Sequence, residues 1–269
     1  MKTALVTGAA RGIGRATVDG LVQRGWRVVA GVRDPSTAAF DHVDVNVVRL
    51  DVTDADSVRQ GVAAAQAIAG GALDAVVSNA GYALLGAVED VAMDEVRAVF
   101  ETNTFGALAV VQAALPAMRE AGGGTVVFVS TIGASLPTPL LGAYRASKAA
   151  LNALADVLSM EGRPFGIRVG RVEPGMVATE FSKATRRSGS ITDPDGPYAP
   201  LGAALFRGIG RWRDRYEVTA GQVAAEIIRI IEDPDAERVT LVGDDARRLH
   251  GSGEDDILEF LGAEWPRRS

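Results

Sequence analysis

Ala4-Leu5-Val6-Thr7-Gly8-Ala9-Ala10-Arg11-Gly12-Ile13-Gly14 is the stretch on which the fold turns. A short apolar run passes into a glycine turn and then into a helical pattern. Glycines at 8, 12 and 14 let the turn tighten and let backbone N–H groups approach a pyrophosphate. The N-terminus of the following helix adds a favourable dipole. The spacing is G-x-x-x-G-x-G rather than the commoner G-x-G-x-x-G. Such a turn is weak evidence alone. Between the first strand and first helix of an α/β chain it is strong.

The rest of the chain supplies that context. Val28–Ala30, Val45–Val48, Ala75–Val77, Val126–Val129 and Ile167–Val169 are Val-rich runs without the alternation of a half-exposed sheet, and so read as buried strands. Helical patterns lie between them, near 12–24, 54–69, 93–119 and 144–161. A helix near 219–232 precedes a last strand at Thr240-Leu241-Val242-Gly243. Strand and helix in alternation imply a parallel sheet with right-handed crossovers and helices on both faces. The rhythm breaks at 180–217. This stretch is rich in Gly and Pro yet carries Phe181, Tyr198, Leu201, Leu205, Phe206, Ile209 and Trp212. It reads as a flexible, greasy lid over a site.

Composition removes several chemistries. The chain has 269 residues, 28 Lys+Arg against 34 Asp+Glu, and a net charge of −6, which gives no reason to expect a nucleic-acid partner. It holds no cysteine and only His42 and His250, so a thiolate, a Cys- or His-based metal site or a Ser-His-Asp triad is not expected. The uncharged stretches 102–118 and 121–144 are interrupted by Gly, Pro, Asn or Gln and do not read as membrane spans. The N-terminus enters the first motif at once, so a cytoplasmic protein is expected. Lysine occurs only at 2, 148 and 183, and a lysine at a site therefore stands out.

The second strand ends Val32-Arg33-Asp34. An acid at that tip binds a ribose 2′-hydroxyl, whereas an Arg there binds a 2′-phosphate. Val32 is placed at the tip and Arg33 just beyond it, with Arg11 within reach from the glycine turn. Two guanidiniums around one dianion favour NADP(H), with NAD(H) possible. The alternative leaves both arginines in solvent and gives the hydroxyl to Asp34. Tyr144 and Lys148 are four residues apart and share one helix face. An ammonium beside a phenol lowers the phenol pKa and makes Tyr144 a general acid or base. Thirteen residues before Tyr144 lies the hydroxyl of Thr131, beside Ser130 at a strand end.

Together these motifs resemble the short-chain dehydrogenase/reductase family, in its branch of about this length. The likeness is close over residues 1 to about 180 and looser to 243. The family's T-G-x-x-x-G-x-G falls on Thr7 to Gly14, and its adenine-contacting D-V pair on Asp51-Val52. Its N-A-G is Asn79-Ala80-Gly81, its helix asparagine Asn103, and its Y-x-x-x-K is Tyr144 and Lys148. Its P-G-x-x-x-T runs from Pro174 and Gly175 through Val177 to Thr179. The usual serine is replaced by Thr131, with Ser130 the fallback.

The resemblance implies a single Rossmann domain over 1–269, a doubly wound parallel sheet of about seven strands. It implies hydride transfer between nicotinamide and a carbonyl or alcohol. Tyr144 would be the acid/base and Thr131 the donor to the substrate oxygen. Lys148 would lie on the nicotinamide ribose, and Asn103 would hold a water of the proton relay. Gly8, Ala10, Arg11, Gly12, Ile13, Gly14, Arg33, Asp51, Val52, Asn79, Ala80, Gly81, Tyr144, Lys148, Pro174, Gly175, Val177 and Thr179 would hold the cofactor. Tyr82, Leu84, Leu136, Leu140, Leu141 and Phe181 suggest a lipophilic substrate. The basic run of Lys183, Arg186, Arg187, Arg207, Arg211, Arg213 and Arg215 reads as a solvated face, or else as a surface for an anionic substrate or acidic carrier. Apolar helices at 105–115 and 149–158 imply a homodimer or homotetramer. One rival is a non-catalytic NADP(H) sensor on the same scaffold. Another, a sugar-nucleotide epimerase, is opposed by the glycine spacing and the short tail.

Overall fold

A computed structural model of the chain describes residues 1–179, 181, 185–253 and 256–257. Seven parallel strands form one sheet: β1 Thr3–Thr7, β2 Arg27–Val32, β3 Val45–Arg49, β4 Ala75–Ser78, β5 Gly124–Val129, β6 Ile167–Pro174 and β7 Val239–Val242. Their order is β7-β6-β5-β4-β1-β2-β3. Because the chain leaves the β3 edge and returns to lay β4 beside β1, the crossovers diverge at the β1–β4 seam and open a crevice at the strand C-termini.

Alternate side chains of each strand feed opposite cores. Ala4, Val6, Val28, Ala30, Val77 and Val127 meet helices α1 (Gly12–Val22) and α7 (Ala220–Glu232). Leu5, Val29, Val76, Val126 and Phe128 meet α2 (Ala55–Ala69), α4 (Ala107–Glu120) and α5 (Gly142–Glu161). This is the doubly wound arrangement that the alternating pattern implied. One strand departs from it. Val45–Val48 reads as buried, but β3 is the sheet edge and Val47 is 36% exposed.

The pattern at 93–119 spans α3 (Met93–Phe100), one wide π turn (Glu101–Gly106) and α4. The whole helix, Met93–Glu120, is long and apolar enough by length and composition to cross a membrane. Val99, Val110, Val111, Ala114 and Met118 are nevertheless buried within the protein. The π turn registers the helix so that Asn103 is buried.

The insertion is more ordered than its glycines suggested. Arg186–Arg187 pair in parallel with Leu84–Leu85, and helix α6 runs over Ala199–Tyr216. Leu201, Leu205, Phe206, Ile209 and Trp212 recur at helical spacing and pack with Leu85, Leu136 and Leu140 in a third core. Gly202, Gly208 and Gly210 had hidden that periodicity. Lys183 lies outside the described residues. A short helix, α8 (Asp244–Leu249), follows β7 after Gly243.

Candidate active site

The glycine turn sits at the C-terminal end of β1, on the crevice. Gly8 and Gly12 have φ of +62° and +57°, which side chains avoid. A Cβ at Gly14 would stand 2.6 Å from Asn79 Nδ2, so α1 closes tightly on the strand end. Asn79 Nδ2 donates to Thr7 O (2.9 Å), and the Asn79 and Ala80 amides donate to Thr7 Oγ1 (3.0 and 3.1 Å). Those bonds fasten the N-A-G segment to the turn across the β1–β4 seam. Residue Arg11 is the N-cap of α1, and no side chain caps the helix. The first-turn N–H groups are thus left to an anion. Thr179 covers the turn from the other side, 3.5 Å from where a Gly12 Cβ would be. A narrow glycine cradle and an uncapped helix end fit a dinucleotide pyrophosphate.

At the next strand tip, Val32 is buried and Arg33 is the first residue beyond β2, exposed like Arg11. Asp34 is committed elsewhere: its Oδ1 accepts from Ser36 N (3.0 Å) and Ser36 Oγ (2.8 Å). The Ser36 hydroxyl and amide hold that carboxyl below the usual range. Asp51 Oδ1 accepts from the Thr53 amide and hydroxyl, and Val52 packs against Gly106 of the π turn.

Thr131, Tyr144 and Lys148 meet beyond the end of β5. Thr131 Oγ1 accepts from Gly133 N (3.1 Å) and lies 3.4 Å from Pro174 O. Tyr144 is buried. Burial pushes its phenol above the ordinary value, and a hydrogen bond from Thr131 opposes the rise. This corrects the expectation of a phenol lowered by Lys148. The ammonium instead donates to Val129 O (2.8 Å), and burial lowers Lys148 to about 8. Ser130, one residue earlier, is buried with no partner for its hydroxyl among the described residues.

Asn103 is fully buried. It accepts from Tyr82 N, donates to Tyr82 O (both 3.0 Å) and to Ser147 Oγ (3.1 Å), whose own hydroxyl donates to Tyr144 O. Asn103 thereby ties the loop after β4 to the Tyr144 helix. Asn103 Oδ1 and Lys148 Nζ also flank Gly81, where a Cβ would stand 2.9 and 3.4 Å from them. The mouth residues divide. Leu84, Leu136 and Leu140 are core, whereas Tyr82, Leu141 and Phe181 are partly open. The Phe181 ring lies 6.2 Å from that of Tyr144, and Arg186 stacks 4.7 Å over Tyr82. Leu140 has φ +63°, held by Gly86 N donating to its carbonyl (2.8 Å). Among the described residues no group of three or more His, Cys, Asp or Glu could hold a metal.

Sequence reasoning missed Asp245. Its carboxylate is 1% exposed, accepts from Met176 N (2.6 Å) and Ala246 N (2.8 Å), and is hydrogen-bonded by the Trp212 side chain. Only the pair of acids, Asp244 and Asp245, after the glycine that follows β7 hinted at it.

A glycine turn that fits a phosphate and a buried phenol lie across one crevice, and the relatives and solved structures similar to the chain put it in the class of α/β oxidoreductases that act with NAD(P). Within that class the chain belongs to the short chain dehydrogenase family, whose pattern matches residues 2–189. Oxidoreductase BOA17 of Botryotinia fuckeliana (strain B05.10) is 29% identical over 265 residues, 97% of this chain and 95% of that protein. A 3-ketodihydrosphingosine reductase of Bacteroides thetaiotaomicron is 36% identical over 196 residues, 72% of this chain and 71% of that one. The crystal structure of a short-chain dehydrogenase from Streptomyces avermitilis superimposes with a TM-score of 0.83 at 32% identity, covering 93% of this chain and 90% of that one. One from Burkholderia cenocepacia J2315 in complex with NADP gives 0.73 at 25% identity, covering 93% and 92%.

Proposed function

We propose that the protein is an NADP(H)-dependent reductase of a lipophilic ketone or aldehyde, or a dehydrogenase of the matching alcohol. The observation that carries this is the buried Tyr144 with Thr131 beside it and Lys148 held on Val129 O, across the crevice from the glycine turn. Bound there, the cofactor supplies or takes the hydride at the carbonyl carbon. Tyr144, protonated in its buried position, gives its proton to the substrate oxygen. Thr131 donates a hydrogen bond to that oxygen as its charge grows. Lys148, fixed by Val129 O, holds the ribose hydroxyls. Asn103 orders the loop and helix on either side and leads the water path that returns a proton.

Preference for NADP(H) is supported by Arg11 and Arg33, both exposed, and by Asp34 Oδ1 being occupied by Ser36. Lipophilic carbonyl substrates are supported by the apolar third core beneath the mouth and by the relative named for 3-ketodihydrosphingosine. A homodimer or homotetramer through α4 and α5 completes the reading. It is supported by Phe105, Val157, Met160 and Phe165, which stand exposed on or beside these helices.

A panel of ketones, aldehydes and alcohols followed by NADPH absorbance tests the reading. Turnover is expected on a lipophilic ketone. Tyr144→Phe should cut it by about a hundredfold or more while leaving NADPH bound. Arg33→Asp should weaken NADP(H) by about tenfold and admit NAD(H). Tight NADPH binding with no turnover on any carbonyl would favour a sensor instead.

A further inference from the structure

The loop Gly175–Thr179 is held at three places. Gly175 N donates to Val242 O (3.0 Å), and Met176 N to the Asp245 carboxylate (2.6 Å). Met176 O accepts from Val218 N (2.9 Å), and Val177–Ala178 pair with Val218–Thr219. The loop ends with Thr179 against the Gly12 turn. Val218–Thr219 tie the loop to the chain just past the end of α6, and Asp245 reaches the body of that helix, because Trp212 of α6 hydrogen-bonds the same carboxylate. Trp212 is itself braced on Tyr216, ring centroids 4.5 Å apart. The carboxylate fills a slot between two glycines. A Cβ at either Gly175 or Gly243 would collide with it. Donors from three separate elements therefore converge on one buried group: the loop, α8 and α6. A carboxylate so enclosed cannot exchange these donors for water without the elements parting.

We infer that Asp245 is a positioning residue that couples α6 of the insertion to the loop covering the glycine turn, so that a displacement of α6 is felt at the cofactor through Trp212, Asp245 and Met176. The inference rests on the proposed reading that this crevice binds NADP(H). It makes the insertion part of the cofactor site as well as a wall of the substrate mouth. A ligand that fixes α6 should accordingly tighten the cofactor, and the cofactor should tighten that ligand by the same factor.

The test uses the full chain with Trp212→Phe, which keeps an aromatic ring and removes the donor, and with Asp245→Asn. Amide hydrogen exchange is followed without ligand, and NADPH affinity by its fluorescence. In Trp212→Phe, exchange across 175–179 should quicken by about fivefold or more, with α1 and α2 unchanged. NADPH affinity should fall by about fivefold or more, while kcat at saturating NADPH stays within about twofold. The double variant should be no weaker than Asp245→Asn alone. Faster exchange spread evenly over the protein would reduce Asp245 to a general stability role and overturn the inference. So would a folded Trp212→Phe with parental exchange at 175–179. If the parent binds neither NADPH nor NADH, the proposed site fails, and the exchange measurement alone decides the coupling.

Discussion

Thr131 and Ser130 show how one residue of register assigns a role. Adjacent side chains at a strand end face opposite ways. Thr131 reaches Tyr144, whereas the Ser130 hydroxyl is buried with no partner among the described residues. Thr131→Val should therefore cost about tenfold to a thousandfold in turnover, on the scale of a lost oxyanion donor. Ser130→Ala should leave turnover intact and melt no lower than the parent, since it removes an unsatisfied polar group. Thermal melts beside steady-state assays check both, and an inactive Ser130→Ala would reverse the assignment. Lys148 gives a pH signature. Its folded pKa, about 8, lies below the ordinary lysine value of 10.5. The unfolded chain thus holds the extra proton between about pH 8 and 10.5, and stability from this group rises with pH across that window. Lys148→Met should lack that rise. Its stability relative to the parent should shift against it by about 2 kcal/mol between pH 7.5 and pH 10. The spacing of Tyr144 and Lys148 was legible in the sequence. Their protonation was not, because it follows from burial and from Val129 O, a backbone acceptor that no side-chain motif encodes.

Elements built from apolar periodicity were the easiest to read, and all seven sheet strands and the helices between them, α6 excepted, lie where the pattern put them. What escaped were features made by bonds across the fold. The π turn depends on Asn103 engaging Tyr82 and Ser147, and α6 was masked by its own glycines. The insertion is also clasped rather than loose. Ser188 hydrogen-bonds Glu95, and Asp90 accepts from Ser190 N (2.7 Å) and from the Ser190 hydroxyl. The Ser190 hydroxyl and amide hold the Asp90 carboxyl below its ordinary range. The clasp is therefore expected to be present at neutral pH and lost only as acid passes that lowered value. Asp90→Ala should speed hydrogen exchange and limited proteolysis at 185–198 without unfolding the sheet. Unchanged protection there would mean that the Leu84–Leu85 ladder with Arg186–Arg187 holds the segment alone.

At the scale of the whole molecule, α4 and α5 cover one sheet face, and the π turn before α4 and α5 itself still expose apolar side chains outward, Phe105 among them. Met160 is 68% exposed and Val157 54%, one turn apart on α5. Light scattering at micromolar concentration should give a dimer or tetramer. Met160→Glu with Val157→Asp should shift it toward monomer with the fold intact by circular dichroism. A parent that is monomeric at that concentration would leave those side chains as isolated surface residues.

The strand order has a consequence for assembly from pieces. Residues 1–70 carry β1, β2 and β3 as one contiguous half-sheet, and the remaining strands all come after Gly71. Between β1 and β4 the seam is short, Ala4 to Ala75, Leu5 to Val76 and Val6 to Val77, but α1 packs on α7 and α2 on α4 across it. Gly70 and Gly71 form the exposed turn where the halves join, both with positive φ and with no atom crowding them. A chain severed there separates the glycine turn and Arg33 from Thr131, Tyr144 and Lys148. Neither fragment then contains a site. Their recombination is expected to restore one, so turnover that appears only on mixing the two fragments checks that the halves dock across the seam.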